Sequence, residues 1–505
     1  MQDASTEGKP GRRPLLLLSL LLVGVAAAVV AEHAVFHRVP DMIQATYMIG
    51  ALDIVDQGRS TPLVDLSPYG DGLSTRYYPP LLLHSLAGVF RVAGIAYPAV
   101  LWLTLPLSLL ALVGVFVAGS AGGDRWNGLL AALVLAAYPG FREASAGIYL
   151  DQGLACLIAV VLAALASPRG RAWMAGLAVF TAASAAAWLT RWTFALVPAV
   201  VVPVALGEAA LGPRDGRRAR IGRFAGLLVA SVLAAIPFVF WLVTRADVGA
   251  LAGNVTAEPT RIPWLSQLVF YPGLIATAGS GIPLALAALA AFAHPAVWRS
   301  SRCRMALFLL LGGLAFLTWL PPKQPRYALM LYPSMALVTA AAARAWGRAG
   351  LRRGLGIALA VAALATACLD LARRETANPA FLEQLVDRID RDWKGPEAAQ
   401  VLVHDRYYRL EGDLNAPVLI FVNAAIDGGP KRFVEGLFEP GLVHGEGCWG
   451  TESSYDYVIL PVVEEHRHSM RQDAFLSCLS LQRLAVIDLR SFHGEPGEVS
   501  LYRVQ

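Results

Sequence analysis

Acidic side chains are scarce in the first 372 residues, 16 in all, and six of them (Glu32, Asp41, Asp53, Asp56, Asp65 and Asp71) fall between positions 32 and 98. Asp41, just after Pro40 in Asp41-Met-Ile-Gln-Ala-Thr-Tyr47, admits two readings: a proton-accepting carboxylate, or a charge favoured by the dipole at a helix start. Asp151, in Tyr149-Leu-Asp-Gln-Gly153, opens an apolar run. An ionisable residue at membrane depth costs free energy unless it is paired or solvated, which marks it as functional; the alternative is an interfacial aspartate that starts a helix. Basic residues punctuate the same stretch of chain: Arg76 ahead of Tyr77-Tyr78-Pro79-Pro80, Arg191 in Leu189-Thr-Arg-Trp-Thr193, and Lys323 with Arg326 in Pro321-Pro-Lys-Gln-Pro-Arg-Tyr327. Singly, each reads as a snorkelling interface anchor. Together with Asp41 and Asp151 they favour an anionic ligand.

The elements that must position these residues are membrane helices. Of 505 residues, 56% are hydrophobic and 16% charged, with a mean hydropathy of +0.53, against roughly 45–50% and about 25% in soluble domains. A spanning helix needs about 20 apolar residues. We read eleven spans, near 14–31, 99–118, 126–139, 147–166, 172–189, 192–207, 225–244, 271–293, 304–320, 326–343 and 355–372. The first follows Arg12 and Arg13 but has no small-x-small cleavage site before His33, so it is read as a retained helix rather than a signal peptide. With the N-terminus in the cytoplasm, the cytoplasmic segments hold 18 Lys and Arg against 10 in the opposite loops, as the positive-inside rule requires.

An odd number of spans places the C-terminal tail outside. Residues 1–372 carry 28 basic against 16 acidic side chains, whereas 373–505 carry 14 against 21. The chain therefore divides into a membrane body, 1–372, with a long outside loop at 32–98, and a soluble extracytoplasmic domain, 373–505. The tail reads as α/β. Leu382, Leu385, Val386, Ile389 and Trp393 have helical spacing, and Val401–His404, Val418–Val422, Tyr457–Leu460 and Leu484–Asp488 look like strands. Outside the cytosol, Cys448 and Cys478 could oxidise and close a loop worth about 3–4 kcal/mol. Cys156, Cys303 and Cys368 lie in or beside apolar runs and read as small core residues. The basic balance follows from orientation, and no nucleic-acid signature is present.

The order of these pieces resembles the membrane-embedded GT-C glycosyltransferases of the protein-mannosyltransferase and lipid A aminoarabinose-transferase type, over about residues 14–350. It comprises an aspartate after the first span, a Tyr-Pro-Pro-Leu turn before the second, an aspartate opening the fourth, a basic-Trp-Thr motif and a late Pro-Arg-Tyr motif. The resemblance implies a polytopic, mostly α-helical bundle in the plasma membrane of a bacterial cell envelope, taking a sugar from a polyprenyl phosphate and passing it to a lipid, glycan or protein acceptor outside. It also implies that Asp41 is the catalytic aspartate and Asp151 the second acidic position. Arg76, Tyr77 and Tyr78 match the segment contacting the lipid phosphate and sugar, and Arg326 with Tyr327 the late basic motif. The chain departs from the family where Asp41 lacks a second acid after it, where Arg191 replaces the commoner lysine, and where Tyr78 abuts the Pro-Pro pair.

The residue types suit that chemistry. A polyprenyl phosphate is already a good leaving group, so the reaction needs a carboxylate to accept the acceptor's proton and cations to stabilise the departing phosphate. Asp41 is the expected base, Arg76, Arg191, Lys323 and Arg326 the candidates for the phosphate, and Asp151 an orienting group. No metal or cofactor is demanded. The alternative reading is a transporter or flippase of lipid-linked sugars, which should show paired half-repeats and discontinuous helices about a midplane site; here the polar residues gather at one face.

Several patterns are set aside. Gly445-Glu-Gly-Cys-Trp-Gly450 spells a dinucleotide fingerprint without a preceding strand or a following helix. Asp390-Arg-Asp392 occupies the polar side of an amphipathic helix. The helical spacing of His33, His37 and Asp41 is interrupted by Pro40. His466 and His468 read as surface, and the Asn254-Val-Thr256 sequon matters only in a glycosylating cell.

Overall fold

The computed structural model describes residues 12–36, 79–121, 124–166, 171–211, 217–244, 301–319 and 325–345. In the tail it describes 399–403, 433–437, 456–463, 481–490 and 496–504, with single positions in 44–55, 266–273, at 298 and in 384–393. The helices are α1 (Arg12–Phe36), α2 (Leu81–Ala93), α3 (Leu101–Ser120), α4 (Arg125–Ala137), α5 (Pro139–Ser145) and α6 (Leu150–Leu165), followed by α7 (Arg171–Trp188), α8 (Leu196–Leu211), α9 (Arg217–Thr244), α10 (Ser301–Trp319) and α11 (Tyr332–Ala345). Among the described residues three helices are long and apolar enough to cross a membrane, Arg13–Ala31, Tyr97–Ser120 and Arg218–Thr244, and shorter apolar helices accompany them.

The chain is a polytopic helical bundle followed by a C-terminal α/β domain. Leu16, Leu20 and Val23 on α1, and Val232, Ile236, Phe240 and Val243 on α9, are exposed. In water such apolar faces would be a liability; in a bilayer they are the lipid-facing surface. Helical runs stand at nine of the eleven expected spans, with shifted ends. The run from 192 begins as a 3-10 turn, Trp192–Ala195, and the run from 326 as another, Pro325–Leu331, as helix ends often do. The expected span at 271–293 is described only to Gly273, and that at 355–372 lies outside the described residues, as does the expected strand 418–422. The apolar helix α2 falls inside the expected outside loop, and α5 is a short helix unforeseen in the pattern.

Contacts group the chain into two compact units, one of Met1–Val30, Tyr78–Leu82 and Thr104–Arg373, the other of Ala31–Tyr77, Leu83–Leu103 and Arg374–Gln505. In the first unit, small residues let backbones meet. A Cβ on Gly114 of α3 would stand 2.9 Å from the Ala159 carbonyl carbon of α6, and one on Gly119 would stand 2.9 Å from the Gly128 Cα of α4. The Tyr138 and Tyr332 rings stack with centroids 4.6 Å apart and planes 4° from parallel, joining the α4–α5 corner to the start of α11.

In the second unit Gln44, Tyr47, Met48, Ala51 and Ile54 are buried, which is one face of a helix. The Tyr97 hydroxyl donates to Gln44 Oε1 at 2.6 Å, and an Arg91 guanidinium nitrogen donates to the Ile54 carbonyl at 2.9 Å. The tail forms a five-stranded sheet of order β2-β1-β3-β5-β4, from β1 (Ala399–Val403), β2 (Phe433–Leu437), β3 (Tyr457–Val463), β4 (Leu481–Arg490) and β5 (Pro496–Val504). Strands β1, β2 and β3 run parallel, and β5 pairs antiparallel to both β3 and β4. Sequence reasoning missed β2 and β5, whose glycine, proline and charged residues dilute the strand pattern. Asp392 is only partly solvated: it accepts a hydrogen bond from the Tyr457 hydroxyl at 2.8 Å and pairs with Arg503 at 3.4 Å. It ties a helix to the sheet, which is a structural duty.

Candidate active site

Asp151, Arg191, Arg326 and Tyr327, nearly 180 positions apart at the extremes, converge in the first unit. Tyr149 is extended (φ −125°, ψ 132°) and caps α6 without a side-chain bond, so Asp151 lies in the first helical turn, where the dipole favours its charge. Its carboxylate turns to the arginines instead of to the helix end. Oδ1 lies 2.9 Å from Arg191 Nε and Oδ2 lies 3.6 Å from Arg326 Nε. All three side chains are almost entirely excluded from the surface, at 4%, 6% and 12% exposure. The Arg191 guanidinium carbon stands 5.0 Å from the centre of the Tyr327 ring and that of Arg326 stands 5.7 Å from it, within cation–π range.

Local structure explains the convergence. At the end of α7 the Arg191 amide still donates to Ala187 O at 2.9 Å, after which Arg191 becomes extended (φ −158°, ψ 134°) and the 3-10 turn Trp192–Ala195 begins. This break lets the side chain leave the helix cylinder. Phe194 anchors the turn edge-on against Trp188, with centroids 5.6 Å apart. Arg326 and Tyr327 sit in the 3-10 turn Pro325–Leu331 that leads into α11. The end of the Pro-Pro turn reaches the same place: the Leu81 amide donates to Leu189 O at 3.0 Å, and a Cβ on Gly153 would stand 3.4 Å from Leu82 and from Thr190.

Of the residues singled out in the sequence, the structure thus brings together Asp151, Arg191, Arg326 and Tyr327. Asp41, Arg76, Tyr77, Tyr78 and Lys323, and also Cys448 and Cys478, lie outside the described residues. Among the described residues no three His, Cys, Asp or Glu side chains cluster as a metal ion requires. Sequence reasoning passed over Gln152 and the serines it reaches, Ser108 and Ser145. An amide next to a carboxylate in an apolar run was the available signal, but its partners come from two other helices.

Chemically, the described part of the cluster is one carboxylate flanked by two guanidiniums, all three side chains being nearly buried. Burying charges is costly unless they are paired, and a guanidinium's fork of N–H donors matches an anion with several oxygens, such as a carboxylate or a phosphate.

No family model matches the chain, and no curated protein matches it. Solved structures do. The aminoarabinose transferase ArnT from Cupriavidus metallidurans in its apo state superposes with a TM-score of 0.65 at 14% identity, covering 95% of this chain and 97% of that one. The same enzyme bound to undecaprenyl phosphate gives 0.62 at 14% identity with the same coverage. The archaeal oligosaccharyltransferase AglB from Archaeoglobus fulgidus, in complex with an inhibitory peptide and a dolichol-phosphate, gives 0.52 at 12% identity, covering 95% of this chain and 74% of that one. At these identities the likeness shows the fold alone: the chain has the architecture shared by ArnT and AglB.

Proposed function

We propose that this chain is a membrane glycosyltransferase that moves a sugar from a polyprenyl-phosphate donor to an acceptor hydroxyl on the extracytoplasmic side of the bacterial plasma membrane. The observation that carries the reading is the buried Arg191–Asp151–Arg326 cluster, two guanidiniums on one carboxylate, in a fold whose ArnT and AglB examples hold undecaprenyl phosphate and dolichol-phosphate. Arg191 and Arg326 receive the phosphate, Asp151 holds the two guanidiniums in register, and Tyr327 supports them from below. Arg76, Tyr77, Tyr78 and Lys323 are proposed as further donor contacts on the sequence motifs that carry them.

In the reaction the acceptor oxygen attacks the anomeric carbon, forming the new glycosidic bond as the carbon–oxygen bond to phosphate breaks. The acceptor's proton passes to Asp41, and the polyprenyl phosphate leaves with the bonding pair, its charge met by the arginines. Desolvated guanidiniums act strongly here because water screens them little.

The test is consumption of lipid-linked sugars by the purified protein in detergent, with release of polyprenyl phosphate as the readout. Arg191→Ala and Arg326→Ala should each weaken donor use, since a charge-assisted contact is worth about 1.5–3 kcal/mol, on the order of 10- to 150-fold in affinity. A wild-type protein that consumes no polyprenyl-linked sugar overturns the reading.

A further inference from the structure

We infer that Gln152 is a positioning residue, which fixes the rotation of the first turn of α6 so that Asp151 faces Arg191 and Arg326 together. The inference rests on the lipid-phosphate reading above and adds to it how the cation pair is kept in shape.

Gln152 is buried, and its amide nitrogen donates to Ser108 Oγ of α3 at 3.0 Å and to Ser145 Oγ of α5 at 3.3 Å. The chemistry of the two serines decides which end of the amide faces them. The Ser108 hydroxyl donates to Thr104 O at 2.8 Å and the Ser145 hydroxyl donates to Phe141 O at 2.6 Å. Each has thereby committed its only proton to its own helix, and what it offers Gln152 is a lone pair. Only an NH2 group satisfies both, so the side chain has one orientation.

Three consecutive residues of α6 then point about 100° apart around the helix, and each direction meets a different neighbour. Asp151 is held by Arg191 and Arg326, Gln152 by α3 and α5, and a Cβ on Gly153 would meet Leu82 and Thr190 at 3.4 Å. A helix carrying two directional bonds to separate neighbours cannot turn about its axis without breaking them, and in an apolar bundle few substitutes exist. The carboxylate oxygens 2.9 and 3.6 Å from their arginines depend on that rotation, because a turn of some tens of degrees would carry them out of reach of one guanidinium.

The experiment measures binding of undecaprenyl phosphate to the full-length protein in detergent, together with KM and kcat for the lipid-linked donor. Gln152→Met keeps the volume and removes both bonds. Ser108→Ala removes one acceptor without touching α6, and Ser108→Thr keeps a hydroxyl. A positioning role predicts that Gln152→Met and Ser108→Ala weaken undecaprenyl phosphate binding roughly three- to tenfold and raise KM with kcat little changed. Ser108→Thr should retain wild-type affinity. A merely structural role predicts the opposite split, with less active protein, a lower apparent kcat, and an unchanged Kd and KM; that result overturns the inference and leaves the phosphate site standing. Wild-type protein that does not bind undecaprenyl phosphate overturns both.

Discussion

The two aspartates named by the sequence are expected to fail in different ways when neutralised. Asp151 has both oxygens engaged by guanidiniums, which makes it a counterion and a poor candidate to accept a proton during turnover. Asp151→Asn would leave two buried cations facing each other, and breaking a buried pair costs about 3–5 kcal/mol, so its main effect should be on stability and donor affinity. Asp41→Asn, by contrast, should leave folding and donor binding near normal while lowering kcat by about 10²–10⁴-fold, the usual cost of losing a general base. A helix-start charge alone would cost only about 0.3–1 kcal/mol of stability and leave turnover intact. Steady-state kinetics on the two variants, beside thermal unfolding, separates these outcomes. An Asp41→Asn enzyme that transfers sugar at the wild-type rate would mean that the base lies elsewhere.

At the scale of elements, glycines set how near α3 comes to α4 and α6. A Cβ on Gly128 would run into the Ser120 hydroxyl and the Phe116 carbonyl of α3. A backbone carbonyl in a helix cannot step aside as a side chain can, so α4 would have to move as a body. Gly128→Ala should therefore lower stability by about 1–3 kcal/mol, the range for overpacking, read as a drop in unfolding temperature in detergent. Gly24→Ala is the control: α1 has nothing within 4 Å of that position, and alanine is the better helix former, so stability should hold or rise slightly. Equal destabilisation by both changes would show that the close α3–α4 approach is not what limits packing.

At the scale of the whole molecule, charge asymmetry predicts an orientation. Residues 1–372 hold a surplus of basic side chains and 373–505 a surplus of acidic ones. Counted over the expected loops, 18 basic residues against 10, the positive-inside rule predicts a cytoplasmic N-terminus and, for eleven spans, an outside C-terminal domain. A reporter that works only in the cytoplasm, fused after Gln505, should be silent. In the oxidising compartment Cys448 and Cys478 should be joined, which non-reducing peptide mapping would detect as a linked pair that separates on reduction. An active cytoplasmic reporter would overturn the orientation and the disulfide together.

Composition and periodicity were enough to reveal the membrane body, most of its helical runs and the α/β character of the tail, because lipid demands long apolar helices and a strand's alternation is local. They also marked Asp151, Arg191, Arg326 and Tyr327 as unusual, since polar side chains stand out against an apolar background. What they did not convey is that one carboxylate holds both arginines over one ring, or that Gln152 reaches serines on two other helices. Strands β2 and β5 were hidden for a similar reason, their sheet membership being decided by partners distant in sequence. A salt bridge, an interhelical hydrogen bond and a sheet register are pairings, and a pairing has no local pattern. Only the tertiary structure chooses it, by burying two groups where each is the other's least costly replacement for water.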